Sequence, residues 1–150
     1  MKNKILIFFY LFPLLSFIYC FFYSQYIYDG YHFGLMFSNA IDLNEGKIPY
    51  KEIFIEYGYL TTLIHSFVLS AFGDEVLYLQ IYTSLIYSIT IILIGLILKK
   101  FTNNYYALFA ILSLIIINPI PLKPWAIYNC YLFYSLSLFF FINKNNISKG

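Results

Sequence analysis

Asp29, His32, Glu56 and Tyr57 are the side chains with the most chemistry to offer in a 150-residue chain that is 61% hydrophobic and only 11% charged. Such groups can transfer protons, bind metals or simply carry surface charge. Asp29 directly follows the first long apolar run, and His32 comes one helical turn later, where both could face one cleft. Glu56 and Tyr57 stand at the opening of a second, shorter apolar stretch. The other carboxylates, Asp42, Glu45, Glu52, Asp74 and Glu75, are too scattered to read as an oxygen cage for a metal. Cys20 and Cys130 form no C-x-x-C pair, so neither a metal nor a redox motif is legible.

Each of these residues also has a plain reading. Asp29-Gly30 ahead of a helix is a cap or a turn. His32 suits a surface at headgroup level. Glu56 in a first helical turn is favoured by the helix dipole. His65, inside an apolar run, reads as a histidine hydrogen-bonded to a neighbouring helix.

All seven acids lie between Asp29 and Glu75, and none precedes or follows that segment. The elements that flank it explain why. A soluble domain is about 25% charged, so this composition predicts an all-α, polytopic helical membrane protein. Four spans are expected, at about 5–26, 76–98, 105–120 and 125–142. The Asn118-Pro119 and Pro121 cluster ends the third. The stretch 57–72 is about 16 residues long, below the roughly 20 needed to cross. Leaving it uncrossed puts Lys2, Lys4, Lys99, Lys100, Lys144 and Lys149 on one side, which the positive-inside rule makes the cytoplasm. A short tilted crossing is the other reading.

With an N-terminus in the cytoplasm, residues 27–75 form one extracytoplasmic loop, seven acids against Lys47 and Lys51. Carboxylates are costly in hydrocarbon and belong there. Within the loop, Phe33, Met36, Phe37, Ala40 and Ile41 recur at helical spacing. His32, Ser38, Asn39, Asp42 and Glu45 fall largely off that stripe. Gly46 suits the residue after the helix end. The expectation is a helix lying on the membrane with its apolar face down, then a loop containing Pro49, then a second interfacial helix from near Glu56. A net charge of +2 with no basic patch gives no reason to expect nucleic acid.

The order of these parts carries a resemblance. An anchor, an Asp directly after it, "AIDLNEGKIPYKEIFIEYG", a short helix ending in "AFG", and a long span ending in Lys-Lys resemble the start of a GT-C-type integral membrane glycosyltransferase. The nearest branch is the protein O-mannosyltransferase / aminoarabinose transferase one, and the likeness covers roughly residues 5–101. Gly30 stands where many relatives have Glu, and Tyr59 where Pro is common.

The resemblance implies transfer of a sugar from a polyprenyl-phosphate-linked donor to an acceptor on the extracytoplasmic side. Asp29 would be the base that takes the acceptor's proton, with inversion at the sugar. It offers His32, Glu56, Tyr57 and Lys123 as substrate-binding candidates, with Lys123, Lys47 or Lys51 meeting a phosphate as point charges. No cofactor and no metal is expected. Membrane lipid is a partner, and the expected home is a bacterial inner or plasma membrane. Such enzymes are longer, so the chain is expected to be an N-terminal part, completed by a further C-terminal part or a partner membrane subunit. The alternative is a small, non-catalytic four-span protein acting as a subunit. A transporter half would need ionisable groups at mid-membrane, and 5–26, 76–98 and 105–118 carry no acid or base.

Overall fold

The computed structural model describes residues 2–24, 30–117 and 123–147. Six helices are found among them, and no strand: α1 (Lys2–Ser24), α2 (Gly30–Asn44), α3 (Tyr59–Phe72), α4 (Val76–Phe101), α5 (Asn104–Ile117) and α6 (Ala126–Ile147). Three contain apolar stretches long enough to cross a membrane, Ile5–Tyr23, Val76–Phe101 and Ala126–Lys144. At 1.5 Å per residue, the 14-residue α3 and α5 are each about 21 Å long, short of a ~30 Å hydrocarbon core. The expected terminator of the third span, Asn118-Pro119 and Pro121, lies outside the described residues.

α4 is the central helix and packs against α1, α5 and α6. Phe9, Ile86, Ile91, Ala107 and Ile111 form the core between them. Gly95 allows the closest approach. A Cβ built there would lie 2.4 Å from Ile111 Cδ1 and 3.3 Å from Phe9 Cδ1. Only a residue without a side chain fits that crossing.

Two of the hydroxyls buried in α4 are satisfied by the helix itself. Thr83 and Thr90 donate to the carbonyls of Leu79 and Ile86, one turn back. Tyr87 reaches across to the Leu114 carbonyl of α5, at 2.9 Å. Asn103 caps α5, its Oδ1 accepting from the amides of Tyr105 and Tyr106, both at 3.0 Å.

α4 and α6 run parallel. Near their starts Tyr82 donates to Asn129 Oδ1, and near their ends Lys100 donates to Asn143 Oδ1. α1 runs the other way, since Phe9 of its first half meets Gly95 of the last half of α4.

The polar segment folds against the start of α4. α2 ends where Gly46, at φ +84°, turns the chain. The amides of Gly46 and Lys47 return to the carbonyls of Leu43 and Asp42, at 3.1 and 3.0 Å. That pairing closes the helix end in a Schellman motif. The loop after it closes on Glu52, whose Oε2 accepts from the Ile48 amide at 2.7 Å.

Two expectations need correction. The stripe on α2 does not face lipid: Phe33, Met36 and Ala40 are buried in protein, and Phe37 and Ile41 pack with Val68, Leu69, Tyr78 and Leu79. Asn39 is not off the buried face either. It is 5% exposed and donates to the Phe54 carbonyl at 2.8 Å. α3 and the start of α4 supply enough apolar surface to cover α2, and the loop needs a polar anchor beneath it.

The second short helix starts at Tyr59, because Gly58 at φ +88° breaks the helical path before it. It is amphipathic with its polar side inward. Thr61, Thr62, His65 and Ser66 are buried, while Leu60, Phe67 and Phe72 point out. Ser66 and Asn44 join α3 to α2 through a pair of hydrogen bonds.

Candidate functional site

At the end of the bundle opposite Lys99, Lys100 and Lys144, three separate segments meet around His32. Gly30 starts α2, so Tyr31 and His32 lie in its first turn. The chain approaching α3 delivers Glu56 and Tyr57, then turns at Gly58. The segment entering α6 delivers Lys123 and Trp125.

His32 is the hub. Its ring centroid lies 5.1 Å from Tyr31, 5.2 Å from Trp125 and 6.1 Å from Tyr57. The Tyr31 and Trp125 contacts are edge-on, a favourable aromatic geometry. Tyr31 donates its hydroxyl proton to Glu56 Oε2 at 3.3 Å. Lys123 Nζ stands 5.0 Å from the centre of the Trp125 ring, in range of a cation–π attraction.

His32, Glu56, Tyr57 and Lys123, all expected from the sequence, therefore share one cluster. Asp29 lies outside the described residues; Gly30, its neighbour in the chain, starts the helix that carries His32. Lys47 and Lys51 lie apart from these residues. Lys47 is held by Asp42 at 2.5 Å and Glu45 at 3.1 Å, which raises its pKa through those hydrogen bonds. Lys51 is exposed on the loop. Neither belongs to the cluster.

One turn deeper is a buried polar layer. Trp125 and Asn129 are four residues apart on one side of the chain entering α6. Tyr82 of α4 donates to Asn129 Oδ1 and meets His65 of α3 edge-on, at 5.9 Å. His65 is 1% and Asn129 3% exposed. Among the described residues, His65 Nδ1, Asn129 Nδ2 and Trp125 Nε1 have no hydrogen-bond partner. Desolvation pushes the His65 pKa down from 6.5 to about 4. The imidazole is then neutral at physiological pH, a hydrogen-bonding group rather than a charge.

The arrangement gathers aromatic faces, a carboxylate and an ammonium above a layer with unpaired buried polar atoms. Such a site suits a polar ligand with apolar faces and an anionic group. Among the described residues no three His, Cys, Asp or Glu side chains gather to hold a metal ion.

Sequence reasoning missed Tyr31, Tyr82, Trp125 and Asn129 as members. Trp125 read as an interface anchor, and tyrosines are too numerous here to single out. Asn129 alone carried a signal, an amide within an apolar span. Compared with protein-family models, curated proteins and solved structures, the chain matches none.

Proposed function

We propose that this chain forms the acceptor-side part of a membrane-embedded sugar transferase that uses a polyprenyl-phosphate-linked donor. Four crossings suit the packing. α4 and α6 run parallel and are tied near both ends, and α5, between them in the chain, runs back along α4, with Ile111 at Gly95 and Leu114 at Tyr87. The acidic end then lies outside the membrane and the lysines of α4 and α6 inside.

The observation that carries the reading is the cluster itself: His32, Glu56, Tyr57 and Lys123 from three segments, beside the position that Asp29 occupies in the chain. In the reaction, the acceptor oxygen forms a bond to the anomeric carbon as the bond from that carbon to the phosphate oxygen breaks. Asp29 takes the hydroxyl proton, and polyprenyl phosphate leaves with the electron pair. Lys123 offsets charge on the leaving phosphate as a point charge. Tyr57, His32 and Trp125 give the sugar an aromatic wall.

The test uses membranes carrying the chain, supplied with radiolabelled polyprenyl-phosphate mannose or aminoarabinose. Asp29→Asn should cut label transfer by about 10²–10⁴-fold while immunoblots show unchanged insertion. Retained activity in that variant removes Asp29 as the base. No transfer from either donor by the unaltered chain favours a non-catalytic subunit. That second reading has its own support. α6 buries little of its surface and leaves Tyr131, Phe133, Tyr134, Phe140 and Phe141 exposed, a face for a partner membrane helix.

A further inference from the structure

The middle of the bundle carries a second feature that sugar transfer does not use. α5 and α6 both lean on α4 and leave a groove between them of about 550 Å³. Its walls are almost wholly apolar, with Ile94 and Leu98 of α4, Leu114 of α5, and Tyr131 and Leu138 of α6 among them. Along α4 it extends from Tyr87 to Leu98, about 16 Å at 1.5 Å per residue. That is about half of a ~30 Å hydrocarbon core, the depth of one leaflet.

A single hydrocarbon chain fits this space.

Charge identifies the head that chain carries. Along α4 the groove wall ends at Leu98, directly before Lys99 and Lys100 in the last turn of that helix. Leu138 lies about 9 Å along α6 from Lys144. Lys100 bonds Asn143 Oδ1 and stands 6.0 Å from the Phe139 ring centre, which brings the two lysine-bearing helix ends together. No acid follows Glu75 in the chain, so nothing of opposite sign in α4–α6 competes for these ammonium groups.

We infer that this groove and its lysines bind an anionic glycerophospholipid, one acyl chain between α5 and α6 and the phosphate at Lys99, Lys100 and Lys144. The inference is independent of the sugar-transfer reading. Basic groups between transmembrane helices hold anionic headgroups in this manner, each lysine adding about fivefold to the affinity.

The full chain in a nonionic detergent would be titrated with phosphatidylglycerol and with phosphatidylcholine, and bound lipid counted by native mass spectrometry. The expected result is retention of phosphatidylglycerol on the order of a hundredfold more tightly. Lys99→Gln, Lys100→Gln and Lys144→Gln together should remove the preference. Leu138→Trp, which fills the groove, should weaken phosphatidylglycerol binding with the lysines intact. A phosphatidylglycerol with a photoreactive acyl chain, used on the unaltered protein, should label peptides containing residues 87–98 and 131–138. Equal retention of the two lipids overturns the inference. So does labelling elsewhere, or phosphatidylglycerol binding that the filled groove leaves unchanged.

Discussion

Lowering the pH should loosen this fold through His65 by an amount the structure sets. The side chain is 1% exposed and packed edge-on against Tyr82. Burial lowers its pKa to about 4, against 6.5 when solvated. Below pH 6.5 the unfolded chain takes up a proton that the folded chain refuses, so the unfolded state gains. Stability from this residue is complete above pH 6.5, declines as the pH falls, and is lost by about pH 4.

The slope is about 1.4 kcal/mol per pH unit, so moving from pH 6.5 to 5 removes about 2 kcal/mol. For a chain of this size that lowers the melting midpoint by about 4–8 °C. The assay is a circular-dichroism melt in nonionic detergent at pH 7.5, 6.5, 5.5 and 5. His65→Gln should flatten the dependence, whatever its effect at neutral pH. If His65→Gln loses as much between pH 6.5 and 5 as the unaltered chain, the burial argument fails.

Two other perturbations probe the packing that holds the site. Gly95→Ala pushes a methyl against Ile111 and Phe9 and should cost about 1–3 kcal/mol in denaturant unfolding. Adding Ile111→Ala removes the atoms it strikes, so the pair should be about 1 kcal/mol less damaging than the sum of the singles; strict additivity would refute the clash. Asn39→Ala deletes the bond to the Phe54 carbonyl and should cost about 1–2 kcal/mol. The loop it anchors should then be cut faster by trypsin at Lys47 and Lys51, and an unchanged cleavage rate would show that the anchor does not hold the loop.

Much of this architecture was legible in the chain. The helices α1, α4 and α6 follow from uncharged runs that stop at lysines or at polar residues, because ionised groups are costly in hydrocarbon. The start of α2 after Asp29 and its end at Gly46 follow from local rules, since only a few residue types adopt the turn that ends a helix there. Gly58 was harder. Its φ of +88° shortened α3 by two residues, and nothing in "EYGYL" separates a helix-opening Tyr57 from a loop Tyr57 that faces His32. The site's membership was half legible. His32, Glu56, Tyr57 and Lys123 stood out as polar residues in an apolar chain. Trp125 and Tyr82 did not, because among so many aromatics only the tertiary fold decides which reach His32.

The faces of α2 and α3 misled for different reasons. In water, the apolar side of a helix finds the core, so a stripe tells which way a helix turns. α2 follows that rule once α3 and the start of α4 are counted as its core; around the spans the surroundings are expected to be as apolar as the core, and that contrast vanishes. Hydrogen bonding then decides, because a polar group has no partner outside. α3 turns Thr61, Thr62, His65 and Ser66 inward and leaves Phe67 and Phe72 out. Ser66 finds Asn44, and Tyr82, edge-on to His65, finds Asn129. In α4 the same preference buries Gln80, Thr83, Ser84 and Ser88 and exposes Leu85 and Ile89. The polar layer beneath His32 is thus a consequence of the solvent. Polar residues on the facing sides of α3, α4 and α6 have only one another, and where they meet at the bundle's acidic end three buried hydrogen-bonding atoms, His65 Nδ1, Asn129 Nδ2 and Trp125 Nε1, have no partner among the described residues.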